Sequence, residues 1–386
     1  MLDFVFRNTG KILFGEGHLP QIASEIKNCG KRVLLVYGGG SIKKSGLYDE
    51  VVKLLNENDI FFTELAGVSA NPRISKVREG IKLCRDNDLD FILAVGGGSV
   101  IDCAKAIAGG FYYENDPWDF FTHQARITKA LPIGTILTIA ATGTEMNLNA
   151  VISNEESLEK KGTGSPLLIP KFSVLNPTYT YTVSSYQTAA GVADIMSHIF
   201  EQYFSPTPKT FLQDRISEAI LKTCINYAPI AIKEPNNYEA RANIMWASTL
   251  ALNGLLSTGK LTDWATHMIE HEVSAMYDTT HGAGLAVLTP HWMEEVLDDK
   301  TVEKLKTYAR NIWHIMGDDD YKVAREGIKK TGEFFKKLGL PTQLREMGVK
   351  EDTLATIAKN ATLNGPLGRF KELNENDVLA ILKKAY

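Results

Sequence analysis

The first half of the chain alternates short apolar, β-forming runs with stretches that carry helical apolar spacing. The strand candidates are residues 32–37, 61–65, 91–95 and 134–139, and the helix candidates between them are 48–56, 74–87 and 100–108. Each strand candidate is nearly continuous in apolar residues, as expected when helices cover both faces of a parallel sheet. The pattern therefore predicts an α/β domain with a parallel sheet between two helical layers.

From about Ser184 onward the pattern changes to long helical segments separated by Pro and Gly, for example 214–227, 238–252 and 301–316. A chain of 386 residues also exceeds the usual size of a single core, which favours two domains. The last strand of the first domain is expected to end at Asn176 and Pro177. We place the boundary between residues 182 and 183, with an all-α domain after it.

The composition excludes several classes of function. The net charge is −4 and no basic run is interleaved with aromatic residues, which argues against nucleic-acid binding. The four cysteines form no CxxC pair and no dense framework, so reduced thiols are expected. The N-terminal segment does not resemble a signal peptide, and no segment approaches about 18 uninterrupted apolar residues. A cytoplasmic protein without a membrane partner is expected.

The segment DFILAVGGGSVIDCAKAIA has the order strand, glycine turn, helix. Such a turn lets the backbone approach a pyrophosphate, and unpaired amides at the helix start can bind it. Gly96, Gly97 and Gly98 would form the turn, and Ser99 would cap the helix and donate to a phosphate. The alternative is an ordinary tight turn, because the segment lacks the full GxGxxG fingerprint.

A second glycine turn, VLLVYGGGSIKKSG, follows the first strand candidate. No carboxylate between residues 32 and 48 is available for a ribose 2′-hydroxyl, whereas Gly38, Gly39, Gly40 and Ser41 leave space and donors. With Lys43 and Lys44 nearby, this turn favours NADP(H), with NAD(H) as the alternative. The two lysines would otherwise be a solvated helix start. The first domain is thus predicted to bind a dinucleotide.

A third turn, TILTIAATGTEMNLNAV, is rich in Thr and Gly and again follows a strand candidate. Hydroxyl groups and small residues at the carboxyl end of a strand suit a ligand site, although such turns are often only helix caps. Asp102, just inside the helix after the GGGS turn, would interact favourably with the helix dipole without any further function.

Five residues of the second half are candidate metal ligands. Asp194 and His198 are four residues apart, as are His267 and His271, so each pair would project from one helix face. His281 follows near a predicted break between helices. Imidazole and carboxylate ligands suit zinc or iron better than calcium or magnesium. The alternative is that these histidines have unrelated structural roles.

Two other functions use the same residues. His267, Glu270 and His271 spell H-x-x-E-H, an inverted zinc-protease pattern in which Glu270 would activate water for hydrolysis. A hydrolase does not explain the three strand-to-glycine turns upstream. A non-enzymatic protein that senses a nucleotide and stores metal would bind NADPH without turnover.

The GGGS turns, D-x3-H and H-x3-H-x9-H together resemble the iron-containing (group III) alcohol dehydrogenase family. The resemblance extends over nearly the whole chain, including VYGGGSIKKSG, VGGGSVID, LTIAATGTEMN, VLNPTYTYT and EPNNYEARANIMWASTLALNG. It favours the NADP-dependent branch of butanol dehydrogenases and broad aldehyde reductases over the glycerol dehydrogenase-like and dehydroquinate synthase-like enzymes of the same fold.

This resemblance implies roles for individual residues. Asp194, His198, His267 and His281 would hold one divalent metal, Fe(II) or Zn(II), while His271 would face the nicotinamide. Because an imidazole exchanges protons near neutral pH, His271 is also the candidate proton carrier, and the alternative is that it only lines the cleft or orients a water. The implied cofactor contacts are Gly38, Gly39, Gly40, Ser41, Asn71, Gly97, Gly98, Ser99, Asp102, Thr138, Asn147, Lys160 and Tyr179. Because the sequence around Lys160 diverges from the family, Lys161 is an alternative to it.

The resemblance also implies an activity and a set of partners. The expected reaction is hydride transfer between NADP(H) and a primary alcohol or aldehyde such as butanol or butanal. A homodimer is expected, formed through N-terminal strands around residues 4–14. Residues 1–182 would be the dinucleotide-binding domain, and residues 183–386 the helical metal- and substrate-binding domain.

Overall fold

The computed structural model describes residues 1–386, and its contacts divide the chain into two compact units. One unit is Arg7–Val183, and the other is Ser184–Tyr386 together with Met1–Phe6. The first residues are fixed to the helical unit by a hydrogen bond of 2.9 Å from the Leu2 amide to the Gly259 carbonyl oxygen. The assignment of dinucleotide binding to residues 1–182, and of metal and substrate binding to 183–386, stays a prediction.

A six-stranded parallel sheet forms the centre of the Arg7–Val183 unit. Its strands are β1 (Lys11–Phe14), β2 (Arg32–Tyr37), β3 (Phe61–Leu65), β4 (Phe91–Gly96), β5 (Ile133–Leu137) and β8 (Phe172–Leu175), in the order β1-β8-β5-β4-β2-β3. All neighbouring strands are parallel. Their carboxyl ends therefore share one edge, where the turns after β2, β4 and β5 meet the helices that follow.

Helices cover both faces of this sheet, as the apolar runs predict. The helices are α1 (Ile22–Lys27), α2 (Ser41–Lys44), α3 (Leu47–Glu57), α4 (Ile74–Asp86) and α5 (Gly98–Gly110). Val33 and Leu35 of β2 pack in one cluster with residues of α1 and α3, while the alternate residues Leu34 and Val36 are also fully buried. The predicted α/β class is confirmed.

The end of this unit differs from the sequence prediction. The fourth predicted strand begins one residue earlier, at Ile133, and ends at Leu137 instead of Ile139, because the ladder with β4 stops where β4 ends at Gly96, whose carbonyl oxygen accepts the Thr138 amide at 3.0 Å. An antiparallel hairpin, β6 (Asn149–Asn154) and β7 (Glu159–Gly164), was not predicted. Its strands are mixed in polarity, so they lack the continuous apolar signal of the central sheet.

The second unit is mostly helical. Its helices are α6 (Ser185–Tyr203), α7 (Phe211–Lys233), α8 (Tyr238–Ala251), α9 (Ala265–Tyr277), α10 (His281–Glu295), α11 (Val302–Trp313), α12 (Asp320–Lys337), α13 (Leu354–Ala361) and α14 (Glu375–Ala385). Every residue of α6 from Thr188 to Tyr203 is buried, so this helix is the centre of the unit. No helix of the chain has the length and apolarity needed to cross a bilayer.

Candidate active site

Asp194 and His198 lie on the buried helix α6, and their i, i+4 spacing places both side chains on one face. Asp194 is 3 % exposed and His198 is 5 % exposed. Nδ1 of His198 lies 3.5 Å from Oδ1 of Asp194. Burial lowers the pKa of His198 to about 3, so at neutral pH its imidazole is uncharged and able to act as a ligand.

His267 and His281 reach the same carboxylate from two other helices. His267 is in the first turn of α9, and its Nε2 lies 3.9 Å from Asp194 Oδ1. His281 is the first residue of α10, and its Nε2 lies 3.8 Å from the same oxygen. Candidate ligand atoms of Asp194, His267 and His281 all lie within 4.8 Å of one another. Three separate helices thus converge on one point.

Three buried ligand atoms at this point have no hydrogen-bond partner in the protein. Asp194 Oδ1, His198 Nδ1 and His267 Nε2 are each buried without a hydrogen-bond partner. A buried carboxylate oxygen without a donor is costly unless a cation compensates it. Imidazole nitrogens and a carboxylate oxygen are ligands that zinc and ferrous iron accept. The residues present therefore fit a divalent transition metal.

Of the four predicted metal ligands, His198 is the one that lies outside the close group. The group with mutual distances within 4.8 Å leaves it out, although its ring stacks on His267 with centroids 4.7 Å apart. His271 stands apart from Asp194 and groups with Glu270 and His281 instead. Its ring centroid lies 5.6 Å from that of His281, and the residue is 7 % exposed. The structure thus separates His267 from His271, which spacing alone treated alike.

Two buried glutamates lie behind the histidines. Glu201 Oε1 lies 2.9 Å from Nδ1 of His267, and Glu270 Oε2 is hydrogen-bonded to Nδ1 of His281. Glu270 also accepts a hydrogen bond from the Ser274 hydroxyl. The sequence interpretation missed Glu201. Its position seven residues after Asp194, on the same face of α6, was the available signal.

The GGGS turn after β4 has the predicted close packing. A Cβ atom on Gly97 would lie 2.2 Å from Ile139 Cγ2, and one on Gly98 would lie 2.5 Å from Thr142 Oγ1. Gly97 is the residue that precedes α5, a 13-residue helix whose first amides have no intrahelical acceptor. The prediction that Ser99 caps this helix is wrong, because the helix begins at Gly98 and Ser99 lies inside it.

The turn after β2 has a different character. A Cβ atom on Gly39 or Gly40 would meet nothing within 4 Å, so this turn borders open space. Gly40 has φ of 109°, which favours glycine, and Ser41 begins the short helix α2. The ammonium of Lys43 lies 4.4 Å from the ring centroid of Tyr48. The contact with Tyr48 thus holds the Lys43 side chain beside the turn.

A buried lysine connects several of the remaining predicted cofactor residues. Lys105 of α5 is fully buried and donates to Thr144 Oγ1, to the backbone carbonyl oxygen and Oδ1 of Asn147, and to the Asn149 carbonyl oxygen, at 2.8 to 3.0 Å. Asp102 accepts hydrogen bonds from Thr144 Oγ1 and the Val151 amide. Asp102 therefore connects α5 to the segment around Thr144 and Val151 by hydrogen bonds, in addition to its position near the start of the helix. Sequence reasoning missed Lys105 because a lone lysine in an apolar helix carries no pattern.

The other predicted cofactor residues are dispersed over this unit. Asn71 has φ of 49° and is nearly buried. Thr138 follows β5, and Tyr179 follows β8 with a pKa that burial raises. On β7, Lys160 is buried, whereas Lys161 is partly exposed and pairs with Glu159. Which of these side chains contacts a cofactor stays a prediction.

Two family descriptions match the chain and cover most of it. Residues 9–177 match "Iron-containing alcohol dehydrogenase", and residues 188–386 match "Fe-containing alcohol dehydrogenase family, C-terminal". The chain therefore belongs to the iron-containing alcohol dehydrogenase family, as the sequence motifs predict, and it is an enzyme of the alcohol dehydrogenase type. Membership implies a nicotinamide cofactor and a divalent metal.

Individual relatives support this assignment. The chain is 54 % identical, over 100 % of both chains, to NADH-dependent butanol dehydrogenase A of Clostridium acetobutylicum. It is 40 % identical to an NADPH-dependent aldehyde reductase of Escherichia coli, covering 97 % of this chain and 96 % of that one. The solved structure of NADH-dependent butanol dehydrogenase A from Thermotoga maritima superimposes with a TM-score of 0.97 at 42 % identity, covering 100 % of this chain and 99 % of that chain.

Proposed function

We propose that this chain is a metal-dependent dehydrogenase that interconverts a short primary alcohol and its aldehyde, such as butanol and butanal, with NADP(H) preferred over NAD(H). The observation that carries the metal dependence is the set of buried, unpartnered ligand atoms on Asp194, His198 and His267. The names of the Clostridium and Escherichia relatives support the substrate class.

In this proposal the residues divide the chemistry among them. Asp194, His198, His267 and His281 hold the ion, Fe(II) or Zn(II). When bound, the metal would polarise the substrate oxygen as a Lewis acid, and the nicotinamide would supply or accept the hydride. His271 supplies the proton that the reduced oxygen requires, because imidazole exchanges protons near neutral pH. The turn at Gly97 and Gly98 binds the pyrophosphate of the cofactor.

The cofactor preference is supported by the turn after β2. Gly39 and Gly40 leave open space beside Lys43, and no acidic residue lies in the turn. The nearest carboxylate on the neighbouring strand, Glu64, accepts hydrogen bonds from the hydroxyl groups of Tyr37 and Tyr48. A 2′-phosphate needs room and positive or donor groups, which this turn offers. The relatives' names differ on this point, and the more similar Clostridium protein is named NADH-dependent.

Steady-state kinetics with butanal test both the activity and the preference. We expect aldehyde-dependent oxidation of NADPH with a higher kcat/KM than that of NADH. Gly39→Asp should lower kcat/KM for NADPH by at least about tenfold, with a smaller effect for NADH, because a carboxylate repels the 2′-phosphate. Gly17→Asp adds the same charge at another open position and is the control. An NADH value equal to or above that of NADPH in the wild type contradicts the preference.

Homodimer formation and a cytoplasmic location belong to the same proposal. The exposed apolar side chains of Phe4, Val5 and Phe6 support self-association near the N-terminus. Analytical ultracentrifugation should give twice the chain mass, and a monomer at micromolar concentration contradicts the proposed dimer.

A further inference from the structure

Two buried glutamates lie behind the metal-site histidines, and the role given to them below rests on the metal site of the proposed function. Glu201 is 2 % exposed, and both of its oxygens are occupied. Oε1 accepts the His267 backbone amide at 3.1 Å and lies 2.9 Å from His267 Nδ1. Oε2 accepts the Trp264 amide at 2.7 Å. Glu201 therefore binds both the start of α9 and the ring that projects from it.

Glu270 contacts His281 at the start of α10 in the same way that Glu201 contacts His267 at the start of α9. It is fully buried on α9, where Oε2 is hydrogen-bonded to His281 Nδ1 and Oε1 to the Ser274 hydroxyl. A Cβ atom on Gly284 would lie 2.9 Å from Glu270 Cγ, so the glycine one turn into α10 makes room for this side chain. Such an enclosed carboxylate is costly in the core unless its partners compensate it.

The two contacts have the same chemical consequence. A carboxylate next to Nδ1 keeps the proton of a neutral imidazole on that nitrogen, which leaves the lone pair on Nε2. In both histidines it is Nε2 that faces Asp194 Oδ1, at 3.9 Å for His267 and 3.8 Å for His281. Each glutamate thus fixes both the tautomer and the orientation that a metal ligand needs.

We propose that Glu201 and Glu270 are positioning residues that act through His267 and His281 to set the affinity of the site for its divalent metal. This assigns Glu270 a role different from the water-activating base of an H-x-x-E-H hydrolase. Its hydrogen bonds to Ser274 and His281 occupy both of its oxygens.

Glu270→Gln and Glu201→Gln both remove the charge of a positioning carboxylate, but only Glu270→Gln does so without disturbing other hydrogen bonds. In Glu270→Gln the amide oxygen can still accept from His281 and the amide nitrogen can donate to Ser274, so the fold is retained while the charge is lost. In Glu201→Gln the amide nitrogen must face an N–H donor, which also perturbs the start of α9. Glu270→Gln is therefore the deciding variant. Glu218→Gln removes a buried carboxylate that contacts Tyr203 and Arg215 instead, and is the matched control.

The test is a competitive titration of metal-free full-length chain with Zn(II) against a chromophoric chelator, alongside thermal unfolding. We expect Glu270→Gln and Glu201→Gln each to weaken zinc binding by about 10- to 100-fold. Metal-free Glu270→Gln should unfold at the wild-type temperature, and Glu218→Gln should bind zinc as the wild type does. If the wild type binds Zn(II) tightly and the Kd of both variants lies within twofold of its value, the positioning role of the two glutamates is overturned while the metal site stands. A wild type that binds neither Zn(II) nor, in the same titration under anaerobic conditions, Fe(II) overturns the proposed metal site as well.

Discussion

Oδ1 of Asp194 lies 3.9 Å from Nε2 of His267, and both atoms are buried without a hydrogen-bond partner. A carboxylate and an imidazole lone pair that face each other in a dry interior are destabilising unless a cation lies between them. Metal binding should therefore contribute to folding as well as to chemistry.

Metal should raise the stability of the wild type but not that of Asp194→Asn. Metal at about 1,000 times its Kd should add about 4 kcal/mol to the free energy of unfolding. The variant should lose most of this increase, yet be at least as stable as the wild type when both are metal-free, because it lacks the uncompensated charge. Thermal unfolding with and without Zn(II) measures both effects. If Zn(II) stabilises Asp194→Asn as much as it stabilises the wild type, Asp194 is not a metal ligand.

The close approach of α6 and α10 should be sensitive to a single methyl group. A Cβ atom on Gly282 would lie 1.9 Å from the Ala190 carbonyl oxygen, a backbone atom one helical turn before Asp194. Gly282→Ala should therefore lower the free energy of unfolding by about 1–3 kcal/mol and weaken metal binding. At Gly332 the added Cβ would lie 3.5 Å from its nearest neighbour, so Gly332→Ala is the control. Wild-type stability in Gly282→Ala contradicts this packing.

His271→Ala should lower turnover without loss of metal. The imidazole is one helical turn from His267 and lies outside the group around Asp194. If it carries the proton, kcat should fall by about 100-fold and the pH profile should change, while one metal per chain is retained. His291→Ala, farther along α10, should leave kcat unchanged. Unchanged kcat and pH profile in His271→Ala would remove this residue from the proton path.

Lys105→Met should destabilise the chain and weaken cofactor binding. The ammonium is fully buried and satisfies acceptors on Thr144, Asn147 and Asn149, with Asp102 close enough to interact electrostatically. Removing it should lower the free energy of unfolding by about 3–5 kcal/mol and raise the KM for the cofactor. Lys11→Met, at an exposed ion pair with Glu25, should have little effect. Urea unfolding distinguishes the two variants, and equal midpoints would contradict the account.

Only one of the four thiols should react rapidly in the folded chain. Burial raises the pKa of Cys84, Cys103 and Cys224 to about 12, which suppresses the reactive thiolate, whereas Cys29 is exposed. Titration with an aromatic disulfide at pH 8 should show one fast thiol, and Cys29→Ser should abolish it. Denaturant should release the other three. More than one fast thiol would show that the core opens.

The sequence was most informative where one local rule determines the structure. Apolar continuity located β2 and β4, and i, i+4 spacing paired Asp194 with His198. The same rule treated His267 and His271 alike, because it describes one helix and not its neighbours. What distinguishes them is the packing of α9 and α10 on α6, which brings His267 Nε2 to Asp194.

Residues that act through tertiary contacts left little trace in the sequence. Lys105 and Glu201 are charged residues whose partners lie 39 to 66 positions away along the chain. Such pairings depend on how the helices and turns are arranged in space, which periodicity does not encode. The hairpin of β6 and β7 was missed because its strands, NAVISN and EKKGTG, carry Asn, Lys and Gly in place of a continuous apolar run.

The most direct test of the central claim is turnover as a function of metal content. Chain stripped of metal under anaerobic conditions is mixed with butanal and NADPH, and Fe(II) or Zn(II) is added in steps while cofactor oxidation is followed by absorbance. We predict no turnover in the metal-free chain and a rise that saturates at one metal per chain. Turnover by the metal-free chain at the rate of the metal-loaded chain would contradict the account.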